Sequence, residues 1–110
     1  MNRIVTDEDV SRALDFLRDS AVALGQARER LSLAVNMMKH VEALEFKRSS
    51  ASSAEARKAD ARTSKRFTEA ATEEATAAGS YEMMRALREA AAAKIEAWRS
   101  EQANYRSMKI

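Results

Sequence analysis

No proline occurs anywhere in the 110 residues, and Gly25 and Gly79 are the only glycines. Proline breaks helices because it lacks an amide donor and its ring meets the preceding turn. Glycine costs up to about 1 kcal/mol in a helix interior. A chain almost free of both, rich in Ala, Leu, Met, Glu, Lys, Arg and Gln and poor in β-branched residues, is expected to be all-α. Its length allows one domain, 1–110.

Thr6 followed three residues later by Asp9 has the form of a capping box, with Asp in place of the stronger Glu. Beyond it, Val10, Leu14, Leu17, Ala21, Leu24, Leu31, Val35 and Met38 recur in alternating four- and three-residue steps, with Arg28 occupying one position of the series. That spacing keeps one stripe turned toward one partner helix. The pattern predicts a first helix over about 7–46, about 60 Å long at 1.5 Å per residue, with Gly25 as a point where it can bend. A second apolar strip, Phe16, Leu33, Met37, Val41 and Leu44, lies off that seam. One partner helix cannot cover both strips, which points to self-association.

Ser49-Ser50-Ala51-Ser52-Ser53-Ala54 is polar and of low complexity, and reads as the turn of a helical hairpin. The basic, serine-rich hinge is expected over 47–63, with 55–66 helical when bound and loose otherwise. A second helix is expected over about 64–104. Its inward face would carry Phe67, Ala71, Ala78, Tyr81, Met84, Leu87, Ala91, Ile95 and Trp98, and Gly79-Ser80 is where it could divide. The expected architecture is a long two-helix antiparallel hairpin. A hairpin encloses little core, so a ring-like homo-oligomer with closed symmetry is the expected remedy. Its interface would use Leu33, Met37, Val41, Leu44, Met84, Ile95 and Trp98, with Met38 and Met83 also needing cover. Trp98 continues the Ala91–Ile95 stripe and reads as a packing anchor.

The net charge of +2 is unevenly distributed. Residues 1–46 hold six basic and eight acidic side chains, a balance of −2, and residues 67–110 hold six and seven, a balance of −1. Between them, Lys47, Arg48, Arg57, Lys58, Arg62, Lys65 and Arg66 face only Glu55 and Asp60, giving +5. Phe46 precedes Lys47-Arg48, and Phe67 follows Lys65-Arg66. Cations beside aromatic rings suit single-stranded nucleic acid, whose phosphates they neutralise and whose bases stack. A solvated turn with the two rings closing the helix ends accounts for the same residues equally well. In a ring the +5 segment would repeat around one rim, and multiplicity would strengthen weak contacts.

The chain lacks cysteine, which removes disulfides and thiolate metal sites and suits a reducing cytoplasm. The acidic run Asp7-Glu8-Asp9 and the absence of a long apolar stretch argue against a leader peptide or a membrane span. His40 is the only histidine and has no companion at metal-ligand spacing. Carboxylates are scattered beside arginines and lysines, as on solvated helix faces. With no phosphate-cradling glycine loop and no Ser/His/Asp set, no enzyme, cofactor or metal is expected.

The layout resembles the phage recombination mediators of the UvsY type. The residues that carry the resemblance are Val41-Glu42-Ala43 running into Phe46-Lys47-Arg48, a polar hinge, and Lys94-Ile95-Glu96-Ala97-Trp98-Arg99. The resemblance covers most of the chain in outline, though the hinge here is serine-rich rather than aromatic and glycine-containing. It implies a ring-shaped homo-oligomer in a bacterial host cytoplasm. Such a protein binds single-stranded DNA, helps displace the single-strand-binding protein and loads a RecA-like recombinase. Lys47 and Arg48 match the family's DNA-contacting location best, with Arg57 and Lys58 next. The competing reading is a small phage-type helical adaptor or inhibitor that docks a protein through its Met/Ala face and never touches DNA. A purely structural coiled coil is a third.

Overall fold

The structure, a computed structural model, describes residues 4–108. It contains four helices in the order α1 (Asp7–Asp19), α2 (Ala21–Arg48), α3 (Ala54–Thr63) and α4 (Lys65–Met108), and no strand among the described residues. Two compact units are separable. One takes the chain up to Gly25 and from Met83 onward; the other is Gln26–Glu82.

In the first unit, α1 opens on the capping box read from the sequence. The Thr6 hydroxyl accepts from the Asp9 amide at 3.1 Å, and the Asp9 carboxylate accepts from the Thr6 amide at 3.0 Å. Together they satisfy two of the donors that every helix start leaves open. The Thr6 amide bond, and after it Arg12 at 2.8 Å, hold the Asp9 carboxyl below its ordinary value of 3.8. The helix expected over 7–46 is interrupted, but at Ser20 rather than at Gly25. Ser20 is buried; its hydroxyl donates to the Phe16 carbonyl and accepts from Arg88, whose guanidinium also takes the Leu17 carbonyl. A side chain that competes for helix carbonyls bends or stops the helix at that point. Trp98 Nε1 donates to Asp7 at 2.8 Å and the Ile4 amide to Glu101 at 3.2 Å, so α1 and the end of α4 run antiparallel.

In the second unit, Arg30 pairs with Glu73 at 2.9 Å and Arg66 with Glu45 at 3.5 Å, an antiparallel arrangement of α2 and α4. The segment expected as a hinge contains α3. Ser53 caps it by accepting from the Ala56 amide, and Ala61 seats it against the unit's core. Only residues 49–53 lie outside a helix there. Ser64 separates α3 from α4 in an extended conformation. Its hydroxyl donates to the Ala61 carbonyl and accepts from the Phe67 amide, closing one helix and opening the next. Helix α4 runs through Gly79 without a break and extends past 104.

Six of the eight residues of the expected seam are covered, and Leu14 and Ala21 are not. Val10 is buried, and Leu17, Leu24, Leu31 and Met38 are half-buried, as the spacing predicts. The alternate positions shift by one residue. Ala13 and Ser20 turn inward in the first unit, where Leu14 and Ala21 are exposed; in the second, Ala34 and Val41 are buried, Val35 is half-buried and Arg28 is exposed. The buried positions of α4 are likewise small, Ala77 and Ala91, and Leu87, expected inside, faces out. Small side chains let helix backbones approach closely, and the bulky neighbours then rotate away from the contact.

Candidate nucleic-acid interface

The seven basic residues singled out from the sequence all fall in the second unit, around the end of α2, along α3 and at the start of α4. Arg48, Lys65 and Arg66 line one open depression together with Glu45, Ser49, Asp60 and Ser64. Positive charge at the end of α2 is also favoured by the negative end of that helix.

Most of these cations are engaged. Glu45 takes both Arg48 and Arg66 at 3.5 Å, Glu42 takes Arg62 at 3.4 Å, and Glu69 takes Lys65 at 3.9 Å. Arg57 is half-buried and donates to the Ala51 carbonyl at 2.9 Å, fixing the turn before α3 rather than facing outward. Lys47 and Lys58 are exposed and have no ion-pair partner among the described residues. The seven cations therefore separate into a turn anchor (Arg57), two solvated lysines, and four paired with carboxylates, of which Arg48 and Arg66 share one.

Phe67 is half-buried and lines a second open groove with Arg62, Thr68, Ala71, Thr72, Ala75 and Thr76. Each of the three threonines donates to the carbonyl four residues back, which orders their hydroxyls along the groove. Phe46 is half-buried at the end of α2. Sequence reasoning missed Glu45 and Asp60. Glu45 stands three residues before Arg48, a recognisable helical ion-pair spacing; its second contact, to Arg66, is tertiary and has no local signal. Asp60 accepts from the Ser49 hydroxyl at 2.6 Å, tying α3 back to the end of α2.

The residues expected at a subunit interface divide differently. Leu33 and Met37 are 63 % and 55 % exposed on one face of α2. Val41, at 6 %, belongs to the core of its own unit, because the seam passes through it. Leu44, Met84, Ile95 and Trp98 are half-covered within the chain, Trp98 with its indole nitrogen bonded to Asp7. His40 is exposed, and no group of three or more His, Cys, Asp or Glu residues that could hold a metal occurs among the described residues. None of the described helices is long and apolar enough to cross a membrane. Comparison with protein-family models, with characterised proteins and with solved structures finds no match.

Proposed function

We propose that this chain is a single-stranded nucleic-acid-binding protein of the recombination-mediator kind. It would act as a homo-oligomer that presents its basic segment to DNA, helping to displace single-strand-binding protein and load a RecA-like recombinase. The observation that carries the reading is the convergence of Arg48, Lys65 and Arg66 on one depression. It is supported by a second groove of the same unit, where Arg62, Phe67 and ordered threonine hydroxyls offer a cation, a ring and polar contacts. Phosphate neutralisation with some base stacking is the chemistry that single strands require.

The test is a titration of a fluorescent oligodeoxythymidylate against the protein at several salt concentrations. Two to four phosphates contacted per subunit give a log–log slope of about −0.7 for each. Replacing Lys47 and Arg48 together with Ala should flatten the slope and weaken binding to all sequences alike, since phosphate contacts carry no base information. Binding that ignores salt, or no binding, overturns the reading. A second reading, a helical adaptor for a protein partner, is favoured by the Leu33–Met37 face, and it predicts no affinity for single strands.

A further inference from the structure

We infer that Arg48 and Arg66 form a two-guanidinium phosphate subsite whose affinity is set by Glu45, the anion already resident between them; this rests on the single-strand-binding reading above. Both Nη1 atoms contact the same Glu45 oxygen, Oε1, at 3.5 Å, one from the end of α2 and the other from the start of α4. Two cations brought together from different helices repel each other, and a shared carboxylate oxygen offsets that repulsion.

The arrangement leaves the guanidinium groups with unused capacity. Each has five N–H donors and gives Glu45 a single contact, longer than the roughly 2.7–2.9 Å of a strong charge-assisted bond. The Arg48 and Arg66 side chains are 65 % and 53 % exposed, so donor edges face solvent, whereas Glu45 at 14 % is held within the unit. Neighbouring hydroxyls are already committed: Ser49 donates to Asp60, and Ser64 donates to the Ala61 carbonyl. A ligand at this depression therefore meets the two guanidinium groups and the exposed Lys65 ammonium before any uncommitted hydroxyl. A phosphodiester, with two free oxygens and one negative charge, matches a guanidinium fork.

Glu45 acts on such a ligand in two opposed ways. It keeps the arginines together, and its charge subtracts from the field that attracts the phosphate. Glu45→Gln separates the two effects, since the amide keeps an acceptor oxygen in the same place and removes the charge.

The experiment titrates the fluorescent oligodeoxythymidylate against the full-length parent, Glu45→Gln, Glu69→Gln, Arg66→Ala and Glu45→Gln/Arg66→Ala, with helical content checked by circular dichroism. Glu69→Gln is the control for losing one carboxylate beside the same depression, since Glu69 pairs with Lys65 at 3.9 Å and, among the described residues, with neither arginine. The expected result is that Glu45→Gln binds about fivefold tighter at low salt, with a slope more negative by about 0.7, one further phosphate. Glu69→Gln should stay within about twofold of the parent, and Arg66→Ala should cancel the gain, because the effect passes through that guanidinium. Arg66→Ala in the parent background should lose severalfold, a readout independent of how Glu45→Gln folds. Equal gains for Glu45→Gln and Glu69→Gln would overturn the subsite while leaving single-strand binding intact. Salt-insensitive or absent binding by every variant would instead remove the nucleic-acid reading itself. Displacement of the oligonucleotide from Glu45→Gln by polyglutamate of equal charge, at equal concentration, would show a general anion patch and sink phosphodiester recognition.

Discussion

The Arg88 guanidinium lies 2.7 Å from the Ser20 hydroxyl and 2.7 Å from the Leu17 carbonyl, so a cation on α4 holds the break between α1 and α2. Hydrogen bonds from a charged donor to partly buried acceptors are worth about 1.5–3 kcal/mol. Arg88→Ala should therefore lower the urea midpoint by the equivalent of about 2 kcal/mol. Arg88→Lys should recover only part of it, because an ammonium cannot reproduce the guanidinium fork. Unchanged midpoints would mean that the break is held by the backbone alone.

Ala77 is fully buried in the second unit, and Ala61 is nearly so. Close helix approach leaves no room for added methylenes there. Ala77→Leu and Ala61→Leu should each cost about 1–3 kcal/mol by urea unfolding. Leu33→Ala, on an exposed position of the same unit, should change stability little.

The start of α1 should loosen in acid. Asp9 has its carboxyl held below 3.8, first by the Thr6 amide and then by Arg12. A depressed carboxyl contributes stability above its unfolded value and loses it as pH falls through the folded value. The Thr6 and Asp9 amides should therefore lose protection, measured against their intrinsic exchange rates at each pH, as the pH drops below 3.8, and Asp9→Asn should blunt that dependence. Exchange with the same pH profile in Asp9→Asn as in the parent would remove the cap from the explanation.

Helix α3 should be present in the free protein. Its amides, protected by the Ser53 cap and the Ala61 contact, should exchange more slowly than those of residues 49–53. Ser53→Ala should cost about 1 kcal/mol of local stability and speed that exchange. Equally fast exchange across 49–63 would favour a segment that folds only on binding.

Self-association should depend on the outward face of α2. Leu33→Glu with Met37→Glu places charge on two exposed side chains and leaves the buried seam intact, so helical content should persist. The mass in solution, expected to exceed that of a dimer for the parent, should fall by light scattering. A parent that is a stable monomer at micromolar concentration ends the homo-oligomer proposal.

The sequence by itself determined that the chain is all-helical, but the break at Ser20 and the presence of α3 were not legible in it. Missing prolines, the Thr6–Asp9 cap, the serine-rich turn after α2 and the seam positions Val10, Leu17, Leu24, Leu31 and Met38 are local properties, carried by propensity and spacing. Tertiary structure alone decided which neighbour of each seam position goes inward. A four- and a three-residue step are equally periodic, and only the close approach of a second helix selects Ala13 over Leu14 or Val41 as core. The same holds for the basic segment. Its charge was countable in advance, but which cations are spent on Glu42, Glu45 and Glu69, and which turn toward solvent, depends on carboxylates brought in from other turns and other helices. Ion-pair geometry is set by proximity in space, and a linear pattern records only the pairs that lie within one turn of each other.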